Sequence, residues 1–160
     1  MASFNKYVKE YQKQLLKGDI KKAYKGLIDY MMTLKNYFKN EHSDHIVSGH
    51  IYQGYMDLSF FTCSPQMLKN EKLKIAIVLN HEDMRFEIWL VGYTKQIQAK
   101  YWNFFKESDW DKYTVAPTPK HSIIEHVIVE NPNFDDLSGL TNEIEQKTLE
   151  FIEEMNLIFT

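Results

Sequence analysis

The hydrophobic period of the chain changes near residue 50, and this change limits the folds that the sequence can adopt. Before it, apolar residues recur every three or four positions, which keeps them on one side of an α-helix. After it, apolar and polar residues alternate, as they do along a β-strand with one buried face. A chain that carries both patterns can bury a sheet against helices, so we predict the α+β class.

Helical spacing covers residues 3–40 and is interrupted once, at Gly18. Glycine suits the left-handed position after a helix, so we predict two helices that meet there. Ser3 and Asp19 can cap the two helices, because their side-chain oxygens accept hydrogen bonds from free N–H groups of the first turn. The first helix is predicted to bury one stripe, which consists of Phe4, Tyr7, Val8, Tyr11 and Leu15.

Alternating segments predict four strands, and two more helical segments accompany them. The strands are 51–62, 72–80, 85–93 and 122–130, and the helices are 95–108, capped by Thr94, and 141–158. In the first strand, Tyr52, Leu58 and Phe60 are predicted to share the core-facing side. The second and third strands are expected to form a hairpin, because a short polar turn separates them.

The predicted order is α-α-β-β-β-α-β-α in a single domain, 1–160, with helices packed mainly on one face of the sheet. The helix 95–108 makes the connection to the fourth strand long enough for a parallel crossover. That strand is apolar on both faces, so we expect it inside a mixed four-stranded sheet.

Composition excludes several classes of protein. The chain has 19 basic and 22 acidic residues, a formal charge of −3, which disfavours binding to nucleic acid. Its single cysteine removes a disulfide framework. The sequence shows no apolar run long enough for a membrane span and no signal-peptide run at its start. We therefore predict a cytoplasmic protein without a membrane association.

Sequence motifs for chemistry are missing. The chain contains no glycine-rich phosphate loop, no G-x-S-x-G nucleophile elbow and no H-E-x-x-H metal motif. Cys63 lies among aromatic residues, where a small core residue is the ordinary interpretation. The sequence thus assigns no catalytic residue, no cofactor and no metal ion, and it leaves open whether the chain is an enzyme.

Polar strand faces give the candidate site. Three residues share one face of the first strand, three share one face of the third, and two lysines follow on the next helix. They are Gln53, Tyr55 and Asp57, then Glu87, Trp89 and Tyr93, then Lys95 and Lys100. If these faces converge, they form an aromatic-walled ligand pocket with a few polar groups. The alternative is a sheet face whose polar residues only meet water.

Two of these residues also suggest a different function. The α-β-β-β-α-β order resembles the core of restriction-endonuclease-like nucleases. That resemblance implies an Asp on one strand and a Glu-x-Lys on its neighbour, holding Mg²⁺ beside a phosphate. Asp57 and Glu87 match the two carboxylates, but Trp89 stands where the lysine belongs, so Lys95 or Lys100 would have to replace it.

Four stretches resemble a bacterial family of small cytoplasmic proteins of unknown function. They are 17–27 (KGDIKKAYKGL), 48–57 (SGHIYQGYMD), 85–93 (RFEIWLVGY) with 95–96 and 98–102 (KQ and QAKYW), and 123–126 (IIEH). Together they cover most of the chain, so the resemblance implies one whole domain and no particular reaction.

Three hypotheses follow from the sequence. The first is a non-catalytic binding or interaction protein whose partner is a small molecule or another protein, held by the sheet-face pocket. The second is a degenerate or divergent metal-dependent nuclease. The third is a homodimer in which exposed aromatic side chains form the interface, since Tyr and Trp are enriched at such surfaces.

Overall fold

The computed structural model describes residues 3–160 of the chain. Its helices are α1 (Phe4–Lys17), α2 (Asp19–Glu41), α3 (Gln66–Asn70), α4 (Lys95–Glu107) and α5 (Leu137–Phe159). Its strands are β1 (Ile46–Val47), β2 (Tyr52–Gln53), β3 (Leu58–Ser64), β4 (Leu73–Asn80), β5 (Arg85–Gly92) and β6 (Ile124–Val129). The α+β class is confirmed, but the predicted order omits β1 and α3 and treats β2 and β3 as one strand.

Helix ends follow the local sequence closely. The Ser3 hydroxyl accepts a hydrogen bond from the Lys6 N–H at 3.3 Å, and the Thr94 hydroxyl accepts one from the Ile97 N–H at 3.2 Å, so both predicted caps are confirmed. Gly18 has φ 88°, the left-handed conformation that ends α1. The predicted cap at Asp19 is wrong, because Gly18 occupies the cap position and Asp19 begins α2.

Every strand pairing is antiparallel, and the sheet order is β1-β3-β4-β5-β6. Both β1 and β2 pair with β3, so they form two pieces of one interrupted edge. The predicted mixed sheet and parallel crossover are wrong, since β5 and β6 pair antiparallel although α4 connects them. The prediction that the fourth strand lies inside the sheet is wrong as well: among residues 3–160, β6 ends the order, and on the side away from β5 it meets a single short bridge, from Val115 to Ile124.

The predicted strand 51–62 is a hairpin. Tyr52 pairs with Phe60 across it, and the turn between them contains Gly54 and a left-handed Met56 with φ 62°. The Gly54 N–H donates to the Leu58 carbonyl oxygen at 2.9 Å. A Cβ atom at Gly54 would collide with the Asp57 carboxylate, so glycine permits this close turn. Apolar alternation continued through the turn and concealed it.

One face of the sheet, which we call the helix face, carries the core and is covered by α2 and α5. Its side chains include Phe61, Cys63, Ile75, Ile77, Phe86, Ile88 and Leu90, all buried. Ring contacts join Phe38 of α2 to Phe61 and Phe151 of α5 to His126. The prediction that Leu58 and Phe60 face the core is therefore wrong: Phe61 and Cys63, at the alternate positions of β3, do so.

Helix α1 differs most from the prediction. None of the residues Phe4–Lys17, all of which the structure describes, is buried. Phe4 is 80% exposed and Tyr7 is 63% exposed, so the predicted buried stripe is wrong. The periodicity is real, but α1 packs against α2 with too little area to cover it. Within residues 3–160, no helix combines the length and apolarity needed to cross a bilayer.

Candidate functional site

The sheet has a second face, which we call the pocket face, and a depression lies at its centre. Thr62, Ala76 and Trp89 lie next to one another in a row across β3, β4 and β5. Strand alternation places them opposite the helix face. The small Ala76 side chain, between two larger neighbours, leaves the space above the sheet open beside the indole ring.

This depression is a cavity of about 400 Å³. Its lining combines apolar and aromatic side chains with a few polar ones: Tyr52, Asp57, Leu58, Phe60, Thr62, Lys74, Ala76, Trp89, Val91 and His121. The Tyr52 and Phe60 rings stack on each other with centroids 4.7 Å apart. Aromatic walls with a small number of polar groups are the usual composition of a small-molecule site.

Glu87 fixes the Trp89 side chain from its N–H edge. Glu87 is 3% exposed, and its carboxylate accepts three hydrogen bonds. The donors are Trp89 Nε1 at 2.9 Å, Arg85 Nε at 2.9 Å and Asn80 Nδ2 at 3.0 Å. A buried carboxylate is stable only with such partners. Glu87 therefore holds the indole ring in place and is already occupied by protein donors.

The charged groups of the cavity lie toward opposite ends. The Lys74 ammonium lies 5.7 Å from the centre of the Tyr93 ring, at the end where β4 begins. Asp57 precedes Leu58, which pairs with Asn80 at the other end of β4. Six residues of strand separate Lys74 from Asn80, or roughly 20 Å between Cα atoms.

Asp57 is ionised at neutral pH. Its Oδ1 atom accepts a hydrogen bond from the Leu58 N–H at 2.8 Å. This bond to the charged form lowers the pKa of the exposed Asp57 carboxyl below its ordinary value. The carboxylate thus presents a fixed negative group at one end of the cavity.

A polar clamp positions the loop that brings His121 to the cavity. The buried Gln98 side chain accepts a hydrogen bond from the Gly92 N–H at 3.1 Å and donates one to the Pro119 carbonyl oxygen at 2.7 Å. Trp102 Nε1 donates to the Ala116 carbonyl oxygen at 2.8 Å in the same loop. Helix α4 therefore serves as a support for the loop that precedes β6.

Comparison with known proteins gives one match. A family model described as a domain of unknown function (DUF7000) matches residues 4–159. The chain belongs to the DUF7000 family. No curated protein and no solved structure matches it, and the resemblance to nucleases is therefore not shown. The resemblance to a family without a known activity is confirmed, and the geometry alone must indicate what this DUF7000 domain does.

The DUF7000 structure brings only part of the predicted pocket together. Asp57 and Trp89 line the cavity, and Glu87 lies outside the lining, beside Trp89 on the same face. Tyr93 is outside the lining, 46% exposed, next to Lys74. The remaining four predicted residues are exposed and lie outside the lining: Gln53, Tyr55, Lys95 and Lys100. Tyr55 is 98% exposed because it lies in the hairpin turn.

Sequence reasoning missed most of the lining, for two reasons. It assigned Tyr52, Leu58 and Phe60 to the core, whereas they belong to the pocket face. It also left Lys74 out of the candidate pocket, although Lys74, Ala76 and Val78 alternate with the core residues of β4. Alternation along the strand is enough to assign Lys74 to the pocket face. No local signal in the sequence predicts that His121 lines the cavity.

The two carboxylates of the nuclease hypothesis lie far apart in this DUF7000 domain. Glu87 lies in the row of Phe60 and Val78, two strands and three residues away from Asp57. That offset corresponds to roughly 14 Å between Cα atoms. Among residues 3–160, no group of three or more His, Cys, Asp or Glu side chains is placed to hold a metal ion.

Proposed function

We propose that this domain is a non-catalytic binding protein whose ligand is a small, flat molecule with an acidic group. The observation that carries the proposal is the cavity of about 400 Å³ beside Trp89, with Lys74 and Asp57 toward its two ends. Its volume lies within the range of roughly 300–1,000 Å³ that small-molecule sites occupy.

A flat apolar body matches the walls of the cavity. The Trp89 ring is oriented by its hydrogen bond to Glu87, and the stacked pair of Tyr52 and Phe60 faces the same space. Aromatic pairs contribute about 0.5–1.5 kcal/mol beyond the area that they bury. A ligand with an aromatic or heteroaromatic ring therefore gains most from these walls.

An acidic group on the ligand matches Lys74. Within residues 3–160, the Lys74 ammonium forms no ion pair with a carboxylate. It makes a cation–π contact with the Tyr93 ring. Its N–H donors are thus free to bind a carboxylate or phosphate at that end. Asp57, at the other end, can accept a hydrogen bond from an N–H or O–H group of the same ligand.

The separation of these groups favours binding over catalysis. General acid–base chemistry needs its donor and acceptor within hydrogen-bond reach of the same reacting atoms. Lys74 and Asp57 lie at rows of the sheet roughly 20 Å apart between Cα atoms, so they are not placed to act on the same reacting atoms. Glu87 cannot join them, because its oxygen atoms already accept from Trp89, Arg85 and Asn80.

Filling the cavity is expected to weaken the binding of a flat aromatic acid. Indole-3-acetate is a suitable probe, and roughly 13 non-hydrogen atoms at about 0.3 kcal/mol each give a Kd on the order of 1 mM. Ala76→Leu extends a side chain into the open space, so we expect binding to weaken about tenfold or more. Saturation-transfer NMR titration of the wild-type and variant proteins measures this.

A matched control is available on the same face. Val127 lies on the pocket face outside the cavity lining, so Val127→Leu adds apolar volume without entering the cavity. We expect Val127→Leu to bind the probe as the wild type does, with both variants folded by circular dichroism. Equal binding by Ala76→Leu and the wild type would place the ligand elsewhere and contradict the proposal.

Removing the Lys74 charge is expected to weaken the binding of the acidic probe more than the binding of a neutral analogue. Lys74→Gln keeps much of the side-chain length but loses the ammonium group, and a charge-assisted hydrogen bond contributes about 1.5–3 kcal/mol. Because Lys74 is partly exposed, we expect the low end, about tenfold weaker binding of indole-3-acetate. Neutral indole-3-acetamide should lose little affinity, and both ligands are compared by the same NMR titration.

Lys100→Gln is the control for that experiment. Lys100 is exposed on α4 and lies outside the cavity lining, so its substitution removes the same charge at a distance. We expect it to leave both affinities unchanged. If Lys74→Gln and Lys100→Gln lowered the affinity for indole-3-acetate equally, a general charge effect would explain the result. Lys74 would then make no direct contact with the ligand.

A further inference from the structure

Helix α1 presents an apolar stripe that nothing among residues 3–160 covers fully. Phe4, Tyr7, Val8, Tyr11 and Leu15 lie within about 100° of one another around the helix at 3.6 residues per turn. The first four are exposed and Leu15 is partly exposed. The N-terminal half of the stripe, with Phe4 and Tyr7, is the more exposed, and the C-terminal half borders α2.

The C-terminal half of the stripe opens into an apolar groove. Tyr11 and Leu15 line it together with Ile20, Lys21, Tyr24 and Lys25 of α2 and Met56 of the hairpin turn, and its volume is about 420 Å³. The same face of α1 therefore carries protruding aromatic side chains at one end and a receiving groove at the other. Phe4 and Leu15 are eleven residues apart, or roughly 16 Å along the helix.

We propose that α1 is a self-association surface that pairs antiparallel with α1 of a second copy of this chain. A two-fold axis through the middle of the stripe places Phe4 and Tyr7 of each copy in the groove of the other. Such an interface stops at two chains, because each copy uses the same surface to fill the partner's groove and to receive the partner's side chains. The arrangement needs no change in the fold of either copy.

The charge pattern of α1 favours a second copy over a membrane. Its lysines, at positions 6, 9, 13 and 17, centre on the side directly opposite the stripe. The residues that flank the stripe are amides, namely Asn5, Gln12 and Gln14. A helix that lies on anionic lipid brings its cations to the headgroups. Here the four lysines of α1 point away from whatever covers the stripe, so two paired α1 helices meet without lysines of α1 between them. Of the two α2 lysines that line the groove, Lys25 is paired with Asp29 at 2.6 Å.

The exposed area is also on the scale of a dimer interface. Phe4, Tyr7, Tyr11, Tyr55 and Met56 are each at least half exposed on or beside this surface. Large side chains of this kind offer roughly 100–200 Å² each. Together they approach the roughly 800 Å² per partner of a standard interface.

The test is the mass of the chain in solution, measured by size-exclusion chromatography with light scattering over a range of concentrations. We expect the wild type to approach twice the 19.1 kDa of one chain. Tyr7→Glu places a charge in each half of the interface and should give the mass of one chain. Lys13→Gln makes the same change of one charge unit on the opposite side and should stay dimeric.

Both variants should keep the circular dichroism spectrum of the wild type, because neither position is buried. Phe4→Glu serves as a second variant of the stripe and should also give one chain. A monomeric wild type, or a Tyr7→Glu protein that remains dimeric, would overturn the proposal. Co-sedimentation of the wild type with phosphatidylserine vesicles, weakened by Lys13→Gln, would assign α1 to a membrane and also overturn it.

Discussion

Replacing Glu87 with alanine is expected to lower the free energy of unfolding by about 3 kcal/mol, because it leaves several partly buried donors without their acceptor. The substitution removes the acceptor for Trp89 Nε1, Arg85 Nε and Asn80 Nδ2 at once. It also opens space at the edge of the indole ring. Urea denaturation followed by circular dichroism measures the change in unfolding free energy.

Glu130→Ala is the matched control for Glu87→Ala. The Glu130 carboxylate lies 3.8 Å from the same Arg85 guanidinium, but its side chain is exposed. An exposed ion pair contributes about 0–1 kcal/mol, so we expect Glu130→Ala to leave stability almost unchanged. If Glu87→Ala were no more destabilising than this control, Glu87 would be free for another role, and the account of the Trp89 support would be wrong.

Substituting Gly92 with alanine is expected to destabilise the domain by about 2–3 kcal/mol, the cost of overpacking a close contact. A Cβ atom at Gly92 would lie 2.6 Å from the Gln98 backbone nitrogen and 2.9 Å from its Cα atom. Both atoms belong to the backbone of α4, so the helix has to move away from β5. Thermal and urea unfolding measure the loss.

Gly26→Ala is the control, and we expect it to raise the stability that Gly92→Ala lowers. Gly26 lies inside α2, and a Cβ atom there meets nothing within 4 Å. Alanine is the better helix former by about 0.5–1 kcal/mol, so this variant should gain stability. A Gly92→Ala protein as stable as the wild type would show that α4 does not approach β5 so closely, and that the Gln98 clamp does not fix the loop that carries His121.

Local signals predicted three helix ends correctly, whereas the burial of the α1 stripe was predicted wrongly. Ser3, Gly18 and Thr94 act through neighbours three or four residues away, so their roles can be read from the sequence. The stripe of α1 also follows from periodicity. What covers a stripe depends on distant parts of the fold, and here α2 and the rest of the chain leave Phe4 and Tyr7 exposed.

The candidate site shows the same limit. Trp89 was predicted on a polar strand face because strand alternation is a local property. The register that puts Ala76 between Thr62 and Trp89 depends on pairings of β3, β4 and β5. Glu87 carries no sequence signal that distinguishes a ligand-binding carboxylate from one that supports a neighbouring ring. Only the three donors around it make that distinction.

The binding proposal is tested most directly by the indole N–H resonances of the three tryptophans in a ¹⁵N-labelled sample titrated with indole-3-acetate. Trp89 borders the cavity, whereas Trp102 lies on α4 and Trp110 packs against Phe105 of that helix, so these two act as internal references. We expect the Trp89 resonance to shift with saturation on the order of 1 mM, while the other two stay in place. A Trp89 resonance that does not move while other regions respond would contradict a ligand site on the pocket face.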